Sequence, residues 1–170
     1  MKPKLYLMMG YPGAGKTTAA EVIAQITGAV HLSSDKMRLE ITADPAFTAQ
    51  EHDALYQKLN QTTEALLQAG KSVIYDANLN RREHRQEKYD ICQRTGAEPI
   101  LLWVQTEKTL AKERALDEKR SKLVPRHETA SDMFDRIAHI IEPPQADEHP
   151  IILDGTKISS DYISSLLFKN

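Results

Sequence analysis

Short apolar runs alternate along this chain with longer segments whose apolar residues recur every three or four positions. The runs are Lys4–Met9, Ala29–Leu32, Ser72–Tyr75, Pro99–Val104 and Ile151–Leu153. Each has the length of a strand and is bounded by turn or cap residues. The intervening segments predict helices. Thr17 to Ile26 is one, closed near Gly28. Thr48-Ala-Gln-Glu51 is a capping box, and Leu55, Leu59, Thr62 and Leu66 continue the stripe until Ala69-Gly70. A further helix opens at Asn80 or a neighbour and stops at Gly96, and Thr106 is the expected cap of the next. Met133, Ile137, Ile140 and Ile141 mark another apolar face, ended by Pro143-Pro144, and the last helix spans about Ser160–Phe168. Ala43–Phe47 is a proline-containing break inside the pattern. This alternation predicts an α/β fold, with a central five-stranded parallel sheet and helices on both faces. Ligands of such sheets bind at the carboxyl ends of the strands.

The first run leads directly into Gly10-Tyr-Pro-Gly-Ala-Gly15-Lys16-Thr17, which carries every fixed position of the nucleotide-binding P-loop. Its glycines let the backbone curl closely around phosphate. The loop amides form a nest for anions, and the helix that follows adds its positive end. The expected nucleotide-binding set is Gly10, Pro12, Gly13, Ala14, Gly15, Lys16, Thr17 and Thr18. Lys16 should reach the β- and γ-phosphates, and the Thr17 hydroxyl should bind Mg²⁺. A glycine-rich turn with an incidental lysine is the plainer reading, but a strand before and a helix after favour the functional one. The fold is thus expected to be the three-layer P-loop NTPase type, with a nucleoside triphosphate and Mg²⁺ as cofactors.

Composition narrows the picture. The chain has 170 residues and a formal net charge of −2, so it has no global attraction for nucleic acid or anionic membrane. The single cysteine, Cys92, excludes an internal disulfide and a multi-cysteine metal site, and packing in a helix is its expected role. Six scattered histidines form no metal-ligand pattern; only His127 lies near a region of interest. Trp103 is expected in the core of its strand. The apolar run at Lys4–Met9 is too short for a signal-peptide core, and no run approaches a membrane span. A cytoplasmic protein without a membrane partner is the expectation.

Three further groups of residues follow strand ends. The first is Ser33-Ser-Asp35-Lys-Met-Arg38. Asp35 and Arg38, three apart at a helix start, project from one face. The carboxylate can take a proton from an attacking hydroxyl, and the guanidinium can hold the acceptor or orient the carboxylate. Ordinary helix capping accounts for the same residues about as well. The second group is Asp76-Ala-Asn78 with Arg81, Arg82 and Arg85. Asp76 could bind Mg²⁺ through water or orient Asp35, and the arginines could meet substrate. A turn cap and a solvated basic face are the plainer alternatives. The third group runs from Lys112-Glu-Arg114 through Arg120 to Pro125-Arg126. It suits a helical lid over the nucleotide, with arginines meeting the transferring phosphoryl group, or else a polar hairpin between helices.

Taken in order, the P-loop, Asp35-x-x-Arg38, Asp76-Ala-Asn78, Glu113-Arg114…Arg120…Val124-Pro125 and Ile141-Glu142-Pro143-Pro144 resemble the small P-loop kinases. These group with the kinase domain of 5′-hydroxyl polynucleotide kinases, with zeta-toxin-type kinases and chloramphenicol phosphotransferase as more distant relatives. The resemblance implies a single kinase domain over residues 1–170 with a lid at about 114–130. It implies Lys16, Asp35, Arg38 and Arg120 as catalytic, with Asp35 as general base. It also implies ATP as the donor, Arg114 and Arg120 at its phosphates, Thr17 on Mg²⁺ and Arg38 on the acceptor. The residues themselves add Asp76 as a candidate for Mg²⁺ (through water), and Asp35, Asp76, Asn78 and Arg85 as candidates on the acceptor side. That acceptor is a small hydroxyl compound or a 5′-hydroxyl nucleic acid end. The acidic stretch Glu128–Asp154 leans toward the small molecule. A nucleotide-dependent switch without an acceptor is the reading from another class, against which the Asp35–Arg38 pair stands. No guanine-reading motif is present, and the oligomeric state is not encoded in any recognisable pattern.

Overall fold

The computed structural model describes residues 2–117, 124–125 and 127–168. Five strands, β1 (Lys4–Met9), β2 (Val30–Ser33), β3 (Val73–Asp76), β4 (Glu98–Gln105) and β5 (Ile151–Asp154), make one sheet. Their order is β2-β3-β1-β4-β5, and every neighbouring pair is parallel. The described helices are α1 (Lys16–Thr27), α2 (Ser34–Ile41), α3 (Ala49–Gln68), α4 (Arg82–Thr95), α5 (Lys108–Leu116), α6 (Ala130–His139) and α7 (Ser160–Leu167). The three-layer α/β architecture with the five-stranded parallel sheet is the one the apolar pattern predicts.

Strand β1 is the axis of this arrangement. Its residues 5–9 are all buried because both faces are covered. Leu5, Leu7 and Met9 pack on one side with Leu55, Leu59 and Leu67 of α3 and Ile91 of α4. Tyr6 and Met8 pack on the other with Ala19, Ala20 and Ile23 of α1 and Ile163 of α7. A continuous apolar run of this kind is what a parallel strand covered on both faces requires. The strand order also reverses at β1, with β2 and β3 on one side and β4 and β5 on the other. The loop after β1 therefore opens into the crevice where ligands of open α/β sheets bind.

Several boundaries differ from the sequence pattern by one or two residues, each for a polar reason. Strands β2 and β5 extend to Ser33 and Asp154, since polar residues at strand ends still pair in the ladder, as Ser33 does opposite Asp76, where β3 ends as expected. Glu107, rather than Thr106, caps α5 by accepting the Leu110 amide at 3.0 Å. Helix α4 starts at Arg82, because Asn80 is spent on other contacts described below.

One ion pair ties the start of α4 to the segment before β5. Arg85 has no exposed side-chain surface, and its Nε and Nη2 donate to the two oxygens of Glu148 at 2.7 and 3.0 Å. Its Nη1 donates to the Leu79 carbonyl at 3.0 Å. Burial opposes ionisation of Glu148, but hydrogen bonds from Arg85, the Gln145 amide and Tyr89 outweigh it and hold the carboxyl down at about 2. A depressed carboxylate stabilises the fold above its ordinary value near 4.5 and ceases to do so as pH falls through the folded value. Glu148→Ala should therefore cost ~3–5 kcal/mol in denaturant unfolding at neutral pH, because it strands a buried guanidinium. For the wild type, stability attributable to this pair should decline between about pH 4.5 and about pH 2, a slope that Glu148→Gln should remove.

Candidate active site

The P-loop begins where β1 ends. Gly15 caps α1 in the left-handed conformation, with φ 106°, so the helix starts at Lys16. Among the described helices, α1 is the one with neither a side-chain cap nor an acidic residue in its first turn. Its first amides and positive end are thus left for an external anion. The loop is gripped from several sides. Gly10 donates its amide to Asn80 Oδ1 at 3.2 Å, and Thr106 Oγ1 donates to the Ala14 carbonyl at 2.9 Å. Lys16 Nζ donates to the carbonyls of Gly10 at 3.0 Å and Tyr11 at 2.8 Å. Gly13, with φ 75°, approaches α5 so closely that a Cβ there would lie 2.1 Å from the Ala111 carbonyl oxygen.

Asp76 ends the buried strand β3 beside this loop. Its Oδ2 accepts the Thr17 hydroxyl at 2.9 Å and lies 3.0 Å from His31 Nε2. Thr17 and Asp76, placed apart in the sequence, are therefore in direct contact. A hydroxyl and a carboxylate at a phosphate nest are a donor set that suits Mg²⁺, which takes one or two protein oxygens and completes its shell with phosphate and water. Among the described residues no group of three His, Cys, Asp or Glu could hold a metal alone. The fit is to Mg²⁺ carried by a nucleotide.

Two cavities open here. The larger, about 550 Å³, runs along the P-loop and is closed by Arg114 and Ala115 of α5 and by Gly155, Thr156 and Ile158 after β5. Arg114 Nη1 donates to the Gly155 carbonyl at 3.3 Å. The smaller, about 90 Å³, is lined by Asp35, Asp76, Asn78 and Asn80 with Met133 and Ile137 of α6. Pro12, Lys16, Ser33, Asp35 and Met133 line both. Asp35 thus stands where the two meet. It sits in the first turn of α2, whose cap Ser33 accepts the Lys36 amide at 3.4 Å.

The structure brings Gly10, Pro12, Gly13, Gly15, Lys16, Thr17, Thr18, Asp35, Asp76, Asn78 and Arg114 to these cavities. Ala14 is buried beneath the loop, and its carbonyl serves Thr106. Arg38 lies one turn beyond Asp35 with its guanidinium over the Phe47 ring. Arg85 departs from the expected substrate contact. It is buried in the pair with Glu148 and lines neither cavity. Arg120 and Arg126 lie outside the described residues, and the expected lid is described only at its edges. His127 is exposed. Trp103 is half-buried and lines a separate cavity of about 440 Å³ with Tyr11 and Pro143. Cys92 is buried, and burial pushes its thiol up to about 12, so it is inert as a nucleophile.

Sequence reasoning missed Asn80, Thr106, His31 and Gly155. None belongs to a motif; each acts by proximity across the sheet. Gly155 is the sharpest case. A Cβ at this position would lie 2.0 Å from the Ala14 carbonyl oxygen and 2.2 Å from Thr106 Oγ1.

Residues 5–133 match a family described as an AAA domain. No curated protein matches the chain in sequence. Among solved structures, the chain is similar to a putative kinase from Chloroflexus aurantiacus, at 18% identity and TM-score 0.77, covering 96% of this chain and 95% of that one. It is similar to a sugar kinase from Janibacter, at 20% identity and TM-score 0.67, covering 98% and 95%. A gluconokinase from Sinorhizobium meliloti aligns at 14% identity and TM-score 0.67, covering 98% and 90%. At these identities the likeness is one of fold.

Gly155→Ala should displace the phosphate loop while leaving the distant core intact. Isothermal titration with Mg·ADP should show affinity reduced at least about tenfold, since a Cβ 2.0 Å from the Ala14 carbonyl oxygen forces a shift of the loop and its anion-binding amides.

Proposed function

Because the chain belongs to the AAA-domain family of P-loop proteins, whose fold it shares with small kinases, we propose that it is an ATP-dependent kinase. In this reading it transfers the γ-phosphoryl group of Mg·ATP to the hydroxyl of a small molecule. The observation that carries the reading is the place of Asp35, which lines both the nucleotide-sized cavity and the smaller one beside it. A hydroxyl in the smaller cavity faces the phosphate end of the larger across this carboxylate.

The chemistry follows from that placement. Bound Mg²⁺ supplies charge neutralisation on the phosphates. Loop amides, the start of α1 and Lys16 fix and stabilise the transferring group, whose transition state is loose and spreads charge over its oxygens. Thr17, and Asp76 through water, would hold the metal. Asp35 orients the acceptor hydroxyl and takes its proton as the new bond forms. Arg114, on α5 over the large cavity, contributes a cation at the phosphates; Arg120 is assigned the same role by the resemblance alone. Asn78 lines the acceptor side; Arg38 is assigned to the acceptor by the resemblance alone.

The charge distribution supports a small acceptor over a nucleic acid end. A groove for a polyanion needs several free cations along its length. Here Arg81, Arg82, Arg94 and Lys112 are each paired with a carboxylate: Glu83, Asp147, Glu64 and Asp135. Arg85 and Lys88 are buried and paired with Glu148 and Glu87. Among the described residues, the basic stretch from Arg81 to Arg94 is thus matched by carboxylates. Among the described residues no helix is long and apolar enough to cross a membrane.

Asp35→Asn should lower turnover by ~10²–10⁴ while leaving Mg·ADP affinity within about twofold. The check is transfer from γ-labelled ATP to a pool of small hydroxyl compounds, with a 5′-hydroxyl oligonucleotide in parallel. Full turnover in the variant would remove Asp35 from the mechanism, and label on the oligonucleotide would replace the small acceptor by a polynucleotide.

A further inference from the structure

The cavity of about 440 Å³ beside the phosphate loop takes no part in the nucleotide or acceptor chemistry. Its floor comes from the carboxyl ends of two neighbouring strands. Trp103 and Gln105 of β4 alternate onto one face of the sheet. They pair in register with Ile152 and Asp154 of β5. Ile152 is 44% exposed, so this end of the face is open. Ile141 and Pro143, from the segment after α6, and Tyr11 of the loop complete the apolar lining. Glu142 pins that segment: its amide donates to the Asn80 carbonyl at 2.7 Å, and its carboxylate accepts the Arg82 amide at 2.6 Å. The wall is thus held in place before any ligand arrives.

The polar lining is acidic. Glu107 and Asp154 line the cavity, and among the described residues no Lys, Arg or His does. The nucleotide cavity is the reverse case, with Lys16, Lys36 and Arg114 beside one carboxylate, Asp35. Asp154 is shared with Thr156 and with Lys157, whose ammonium lies 3.1 Å away. Glu107 is bonded only to neutral donors, the Thr109 hydroxyl and the Leu110 amide. These hold its carboxyl below the ordinary carboxylate range, so it stays charged. Such a lining repels phosphate and carboxylate. An ammonium gains from both the carboxylates and the faces of the aromatic rings.

Three lining residues also serve the nucleotide side. The Tyr11 carbonyl accepts Lys16 Nζ at 2.8 Å, and Thr106 Oγ1 donates to the Ala14 carbonyl at 2.9 Å. Thr156 lines both this cavity and the nucleotide cavity. An occupant packed against Tyr11 and Thr106 therefore steadies the loop in the form that meets phosphate.

We propose that this cavity is an effector site for a small organic cation, an ammonium on a flat apolar body, whose binding tightens the hold of the phosphate loop on nucleotide. The ammonium meets Glu107, and the flat body lies against Trp103, Ile141 and Pro143. The site does not depend on which acceptor receives phosphate, or on transfer at all.

The chain's single tryptophan is the reporter, since Trp103 itself lines the cavity. The full chain is first saturated with Mg·ADP, which fills the nucleotide cavity. Benzylammonium is then titrated at constant ionic strength, with benzyl alcohol and benzoate as its neutral and anionic counterparts. Benzylammonium should change Trp103 emission saturably, half-maximally at about 1 mM or below. Benzyl alcohol should bind at least about fivefold more weakly, and benzoate should have no effect. Glu107→Gln keeps an oxygen for the Leu110 amide but loses the charge. It should weaken benzylammonium by about fivefold or more and leave benzyl alcohol unchanged. Gln105→Lys, at an exposed position, adds a cation and should abolish the benzylammonium response. In isothermal titration, saturating benzylammonium should tighten Mg·ADP by about fivefold, and Mg·ADP should tighten benzylammonium by the same factor. The site is overturned by no saturable emission change, by benzyl alcohol binding as well as benzylammonium, or by wild-type binding in Glu107→Gln. Unchanged Mg·ADP affinity would overturn the effector role. Emission that follows protein concentration and ignores the amine would mean that a second copy covers this face, which also overturns the site.

Discussion

Helix α1 starts at Lys16 with neither a side-chain cap nor an acidic residue in its first turn, directly behind a loop whose backbone is wrapped tightly on itself. The first amides of a helix have no partner within it and must be met from outside. Every neighbouring element is arranged around that demand. Asn80 anchors the loop at Gly10, Thr106 anchors it at Ala14, and Gly155 makes room on its far side. The anion that would satisfy the amides is thus the partner for which the centre of the molecule is built.

The sheet order makes those anchors available. Because β1 is flanked by β3 and β4, the residues after both neighbours fall beside the loop it feeds. Asp76 and Asn80 arrive from β3, Thr106 from β4, and Gly155 from β5 one strand further out. The loop is fixed by residues that lie tens of positions away in the chain. Coupling also runs outward. The Asn80 carbonyl accepts the Glu142 amide at 2.7 Å, and Glu142 accepts the Arg82 amide at 2.6 Å. Helix α4 and the segment after α6 are in this way tied to the residue that holds Gly10.

Electrostatics separate the two sides of the site. On the α4 and α6 side, cations are matched by carboxylates and serve the fold, with Arg85 and Glu148 as the buried extreme. On the α2 side, Arg38 is held over the Phe47 ring. The same residue type is paired with a carboxylate in one place and stacked on a ring in the other. The partner within about 5 Å decides which, and sequence position carries no trace of it.

The alternation of apolar runs and helical stripes determined the α/β class, the five strands and the covering of β1 on both faces, because those follow from burial periodicity alone. The P-loop was equally legible, since its glycines, Lys16 and Thr17 act at fixed local spacing. Asp35 and Asp76 could be named as candidates because each follows a strand end, where the topology collects ligands. Tertiary structure alone decided the rest. It set Thr17 against Asp76, made Asp35 the wall between two cavities, buried Arg85 in an ion pair, and left Asn80, Thr106, His31 and Gly155 to be found by contact. Local spacing governs what neighbouring residues can do together. Which distant side chains share a charge, a hydrogen bond or a gap of one methyl group is fixed only when the sheet brings strand ends into register.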